Sequence, residues 1–192
     1  MWTSISHLGD AALTGPLAAV CSAWLATSLH GWRITASWLM LLGGGMLAVG
    51  LTKILYAGCG IEIRTIDFRM ISGHTMLAAS VWPMAFLLAL HDGWHVRAHI
   101  ALLPGSALAA AVATARVFDH AHTVSEVVVG WIVGMLVMLT LLRWNTAPLL
   151  LPWRRLPAAA SMLAVSAIAY GYRSPIQAAI ETYSPFLCAA FR

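Results

Sequence analysis

The chain has 192 residues, of which 60% are hydrophobic and only 9% charged, with a mean hydropathy of +0.81. A soluble domain needs more polar surface than this to stay in water, so a soluble enzyme is excluded, and one helical membrane domain uses up the whole length. The net charge of +4 comes from basic residues scattered at helix ends and loops, without a basic run or aromatic–basic interleaving, which points to membrane anchoring and away from nucleic acid.

The opening stretch, MWTSISHLGDAALTG, lacks the basic region of a cleavable signal peptide, so the first apolar run is read as a retained helix. That run extends from about Ala11 to Leu29, and others follow at Ser37–Tyr56, His74–Leu90, Ala98–Ala115, Val124–Leu142 and Leu156–Tyr172. Each approaches the ~20 helical residues that cross a hydrocarbon core of ~30 Å. The expected fold is all-α, a six-transmembrane-helix bundle forming a single domain over residues 1–192. Gly43, Gly44 and Gly45 and the pair Gly130/Gly134 sit mid-span, where small residues let helices approach. Pro83 and Pro104 are expected to kink their spans.

Cys21 falls inside the first run and reads as a small buried residue, while Cys59 and Cys188 lie outside the spans. These last two can pair only if both face an oxidising compartment, and two unpaired thiols are the preferred expectation. The tail from Arg173 to Arg192 is partly apolar; a surface segment is preferred over a cover for a pocket.

An even span count places both termini on one side, with Lys53–His74 and Arg116–Glu126 at that same face. The loops with Arg33, Arg97, Arg143, Arg154 and Arg155 share the other side. If Lys53 and Arg116 belong to a site, the remaining charge leans towards cytoplasmic short loops.

The polar residues at the common face are of a particular kind. Ser72, Gly73 and His74 open the third span, where free backbone N–H groups and a partial positive charge suit an anion, which Gly73 lets come close. In ARVFDHAHTVSE, His122 and Glu126 stand four residues apart and share a helix face, so a carboxylate can orient an imidazole. Arg116 offers a bidentate fork for phosphate. Ionisable groups near a membrane core are costly and tend to be functional.

In this order, Lys53, then Ser-Gly-His, then Arg-x5-His-x3-acid, the residues resemble the type-2 phosphatidic acid phosphatase superfamily, which includes the vanadium haloperoxidases. The resemblance covers about Lys53 to Gly134. The family pattern is K-x6-R-P, P-S-G-H and S-R-x5-H-x3-D. Here Gly60 and Ile61 replace Arg-Pro, Ile71 replaces Pro, Ala115 replaces Ser and Glu126 replaces Asp. The resemblance implies that His122 attacks phosphorus, that Glu126 holds its ring and that His74 protonates the leaving oxygen. Lys53, Ser72, Gly73 and Arg116 would hold the phosphate, with Arg64 or Arg69 as substitutes for the missing arginine. No metal or other cofactor is implied.

The implied partner is a membrane lipid phosphate: an isoprenyl phosphate or diphosphate, phosphatidic acid, phosphatidylglycerol phosphate or a lipid A-type phosphate. The resemblance and the loop charges together imply a bacterial inner membrane with the site on its extracytoplasmic side. Two other readings remain beside this one. A binding protein could keep the anion cradle without turnover, because the first-block arginine is absent. A metal hydrolase could use Asp119, His120, His122 and Glu126, although such ligands leave Lys53, Arg116 and Ser-Gly-His unexplained. His91, His95 and His99 recur at four-residue steps in a loop at the opposite face and read as interfacial anchors.

Overall fold

In the computed structural model, residues 2–28, 31–91, 97–144, 150–176, 179–180 and 182–184 are described. Helix α1 (Trp2–Ser6) leads through a single 3-10 turn to α2 (Ala11–Ala26), followed by α3 (Gly31–Cys59), α4 (Gly73–Leu90), α5 (Ala98–Phe118), α6 (Val124–Trp144) and α7 (Pro152–Ala169). Among the described residues there is no strand beyond one isolated bridge, Ile63 to Phe68, within the loop before α4. Each of the six expected apolar runs is a helix. The boundaries move most for α3, which starts six residues before the expected Ser37.

Crossings are a stricter matter than helices. By length and apolarity α3, α4, α5 and α6 qualify as spans, and a fifth qualifies if Trp2–Gly9 and Ala11–Ala26, bent by 42°, count as one. The six-span expectation is therefore met in helix number but not in the number of helices that qualify to cross. The reasons are local. Helix α2 has 16 residues, short of a hydrocarbon core. Helix α7 has 18, but it opens with Pro152, Trp153, Arg154 and Arg155, while the apolar run it was read from continues past its end.

The helices alternate in direction. Arg154 Nη1 donates to the Thr27 carbonyl at 2.8 Å, and the Ser174 N–H donates to Asp10 Oδ1 at 3.0 Å, so α2 and α7 lie antiparallel with both ends tied. Between these ends, Trp24 Nε1 donates to Ser161 Oγ at 2.9 Å. The starts of α2, α4 and α6 and the ends of α3, α5 and α7 thus gather at one end of the bundle.

Helix α4 is the central element, with 61% of its apolar window buried against 28% for α3. Its neighbours come close because they present glycine. A Cβ on Gly130 would lie 2.6 Å from the Ser72 carbonyl oxygen, and one on Gly134 would lie 2.5 Å from that of Met76. These two residues of α6 fix the register of the first turn of α4. Gly43 and Gly44 behave differently: nothing lies within 4 Å of a Cβ at either, so the packing expected of the triplet is met by Gly45 alone. Large apolar side chains of α3, among them Trp32, Met40, Leu47 and Leu51, point outward, as suits a lipid-facing surface.

Cys21 is free and buried, as expected. Cys59 is disulfide-bonded, which corrects the preferred expectation of two unpaired thiols; Cys188 lies outside the described residues.

Overpacking a tight contact costs about 1–3 kcal/mol. Gly134→Ala is expected to lower the thermal midpoint of the purified protein in detergent by several degrees, and Gly43→Ala to leave it unchanged. Equal midpoints for the two variants would refute the assigned α4–α6 contact.

Candidate active site

The gathered helix ends enclose a cavity of about 260 Å³. Lys53 from α3, Gly73 and His74 from α4, Arg116 from α5 and His122 from the loop before α6 all line it. The two polar segments that sequence places far apart therefore meet in one space. Lys53 stands directly beside the start of α4, since a Cβ on Gly73 would come 3.8 Å from its Nζ.

Glu126, fully buried in the first turn of α6, organises the surroundings of His122. Its Oε2 lies 2.6 Å from His122 Nδ1 and also accepts from the Thr123 N–H at 3.2 Å. Its Oε1 accepts from the Arg69 N–H at 3.0 Å and from Arg69 Nε at 3.2 Å. With all four of these partners on its two oxygens, the carboxylate fixes the proton of His122 on Nδ1. The other ring nitrogen, Nε2, keeps its lone pair. Burial pushes the His122 imidazole down to about 4; the Glu126 bond opposes this, and the cations Arg116 and Lys53 add to it. His122 is therefore neutral at neutral pH.

His74 meets a different carboxylate. Its Nε2 lies 3.4 Å from Asp10 Oδ2. Asp10 is the N-cap of α2: its Oδ1 accepts from the Ala12 N–H at 2.9 Å and from the Ser174 N–H. Two histidines on one cavity thus have separate acidic partners. Arg116 is anchored through Nη1, which donates to Ser6 Oγ at 3.2 Å.

The other expected site residues lie elsewhere. Ser72 is buried outside the cavity lining, with its hydroxyl 3.0 Å from that of Thr75 and its N–H on the Glu126 carbonyl at 3.2 Å. Arg64 pairs with Glu62 at 2.8 Å on a side chain 89% exposed, and Arg69 is spent on Glu126 and lies over the Tyr56 ring. Neither arginine lines the cavity where a substitute for the missing family arginine would be needed. Asp119 accepts from Thr3 Oγ1 at 3.4 Å, and His120 is exposed with φ of 53°. Among the described residues no three His, Cys, Asp or Glu side chains converge as a metal site would require. Of the three spaced histidines, His91 is buried, His99 is exposed and His95 lies outside the described residues.

The tail departs from its preferred reading as a plain surface segment. Ser174, Ile176 and Ile180 line the cavity, so this part of the chain lies across it. Asp10 is likewise absent from the sequence pattern: an acid between Gly9 and an apolar run signals a helix cap, and nothing in that signal points to His74.

A model described as the PAP2 superfamily matches residues 11–148, more than half of the chain. The chain belongs to the PAP2 superfamily. A Klebsiella pneumoniae protein described as "Uncharacterized 22.5 kDa protein in cps region" is 34% identical over 134 residues. That alignment covers 69% of this chain and 64% of the relative, so the chain matches less than two thirds of the relative's own length. No solved structure matches.

Histidine NMR in micelles checks the electrostatics. His122 should show the Nδ1–H tautomer and titrate near 4, below the ~6.5 of a free imidazole. The sign for Glu126→Gln follows from Glu126 favouring the protonated ring: its loss lowers the midpoint further. A midpoint at or above that of free imidazole would contradict the burial and partner assigned here.

Proposed function

We propose that the protein is a membrane lipid phosphatase that hydrolyses a lipid phosphate monoester or diphosphate through a phosphohistidine. The observation that carries this reading is the 2.6 Å contact of His122 Nδ1 with buried Glu126, which leaves Nε2 as a nucleophile in a cavity shared with His74, Lys53 and Arg116. Nε2 attacks phosphorus, the ester P–O bond breaks and the departing oxygen takes a proton from His74. Water then attacks the phosphohistidine, gives its proton to His74 and breaks the P–N bond, which frees phosphate and restores both rings. Lys53, Arg116 and the Gly73 N–H hold the phosphate oxygens as charge redistributes. Ser72 supports the start of α4 from behind.

Asp10 has a part in this scheme. A general acid must carry its proton when substrate arrives. The Asp10 carboxylate, 3.4 Å from Nε2, gives the ring an acidic partner and sets its direction. The lipid character of the substrate is supported by the remaining wall, which includes Met46, Val49, Met76, Leu77, Ile176 and Ile180. Isoprenyl phosphates and diphosphates, phosphatidic acid, phosphatidylglycerol phosphate and lipid A-type phosphates all fit this pairing of an anion cradle with an apolar wall. We place the site at the extracytoplasmic side of a bacterial inner membrane, because Arg33, Arg97, Arg143, Arg154 and Arg155 belong to the other end of the bundle.

One observation favours a second reading. With Gly60 at the arginine position and neither Arg64 nor Arg69 on the cavity, the cradle has one cation fewer than the family pattern, as a lipid-phosphate binder without turnover would.

Phosphate release from a panel of these lipids, with and without chelator, separates the readings. Activity that survives chelator and falls to background in His122→Ala is expected; binding of phosphate or vanadate without release would establish the binder. Removing a general acid costs about 10²–10⁴ in rate. Asp10→Asn, which keeps the helix cap, should therefore slow alkyl phosphates on the order of tenfold and a nitrophenyl ester much less. Equal slowing of both would remove Asp10 from proton delivery.

A further inference from the structure

Behind His74 lies a second cavity, of about 200 Å³, lined by Thr3, Ser6, His7, Asp119 and Arg173 together with Asp10, His74 and Arg116. The last three residues also line the larger cavity, so they form the partition between the two. The contrast across that partition is chemical. The larger space has a mostly apolar wall, with methionines, Val49, Leu77 and the two tail isoleucines. Among the described residues, the smaller one has no hydrocarbon side chain in its lining.

From this we propose that the second cavity is the aqueous port of the site: water reaches the reaction centre through it, and inorganic phosphate leaves by it, while the lipid uses the apolar cavity. The inference rests on the phosphohistidine reading above. In-line displacement explains the placement. Both the departing lipid oxygen and the incoming water occupy the face of phosphorus opposite His122, which is the side of the acid–base residue His74. His74 stands on the partition and can serve the leaving oxygen from one side and water from the other.

Solubility separates the two routes. A lipid alcohol leaves into hydrocarbon, whereas a phosphate ion and water do not partition there. A polar space of this size holds several waters, each with polar partners on the walls. Thr3 and Arg173 of its lining are exposed, which gives the space a side open to solvent. Arg116 passes between the spaces: it lines both, and its Nη1 is tied to Ser6 on the far wall. A phosphate released from the nucleophile thus meets Arg116 first and Arg173 further out, with His7 alongside. Asp10 and Asp119 share the lining with these cations, which keeps the path from becoming a trap for the anion.

The port also has a defined roof. Helix α1 is held over the end of α5 by the Trp2–Phe118 stack, at 4.6 Å between ring centroids, and by Thr3 Oγ1 donating to Asp119. Tyr170 fixes the other edge, donating to the Ser4 carbonyl at 3.1 Å. Thr3, Ser6, His7 and Arg173 all lie outside the segment matched by the family model, 11–148.

A graded plug tests it. In the full-length protein, Thr3→Cys is made and allowed to fold, then modified with maleimides of increasing size, with wild type treated in parallel. Lipid alcohol from the first turnover and phosphate in the steady state are measured by rapid quench, with acid-labile phosphoenzyme followed alongside. Larger adducts should leave first-turnover alcohol release at its wild-type rate, slow steady-state phosphate release at least tenfold and make phosphoenzyme accumulate. Unchanged phosphate release with the largest adduct would overturn the port. Equal loss of first-turnover alcohol and steady-state phosphate would also overturn it, by showing that α1 only supports the catalytic groups. A wild-type protein that releases no alcohol at all would instead remove the phosphatase reading on which the port rests.

Discussion

A fully buried carboxylate holds this site together. Glu126 lies in the first turn of a helix in a molecule built for hydrocarbon, where an unpaired charge would cost several kcal/mol. That cost forces its surroundings. The Arg69 backbone and guanidinium, the Thr123 N–H and the His122 ring all turn inward to one side chain, and the Ser72 N–H is bound to the same residue's carbonyl. The loop before α4, the start of α4 and the loop that carries His122 are thereby locked to one another. Where the family has aspartate, the glutamate here has one more methylene, and with it reaches both Arg69 and His122.

Electrostatic demand then explains where the cations go. Arg69, a conceivable phosphate ligand by its position in sequence, is needed to neutralise Glu126 and is withdrawn from the cavity. What remains there is Lys53, Arg116 and the N-terminal turn of α4. This turn is held in place by steric means rather than by a side-chain cap: Gly130 and Gly134 let α6 press against the carbonyls of Ser72 and Met76. Packing in the hydrocarbon region and charge at its edge are therefore one construction, since the α4–α6 contact fixes the distance between the first turn of α4 and the Glu126–His122 pair.

The legible part of this in the sequence was the part that repeats or spaces regularly. Long apolar runs between polar loops locate all six main helices, and the i, i+4 spacing of His122 and Glu126 locates a contact that geometry bears out. The membrane count was less legible because Arg154, Arg155 and two prolines dilute α7, and because the first crossing is split at Gly9 and Asp10. Ser72, Arg64 and Arg69 were plausible by proximity along the chain, yet their side chains answer to Thr75, Glu62 and Glu126. Asp10 and the tail residues were illegible for another reason: their partners lie 64 to 164 residues away, and no local spacing encodes such a meeting.

The split at Asp10 shows how the site and the membrane architecture constrain each other. A continuous helix from Trp2 to Ala26 would satisfy its backbone without help, which hydrocarbon otherwise demands. Breaking it exposes N–H and C=O groups, and such irregularity is tolerated at membrane depth only where protein or water supplies partners. Here Asp10 caps the new helix start, and Gly9 lets the turn close onto α4, since a Cβ there would sit 2.6 Å from the His74 carbonyl oxygen. The same break brings a carboxylate to His74 and turns α1 away by 42°, so that it roofs a polar space. An unbroken helix would be simpler to bury, but it would carry Asp10 with no opening beside it. The discontinuity is thus what allows an acid, a histidine and a polar cavity to share the edge of a hydrocarbon bundle.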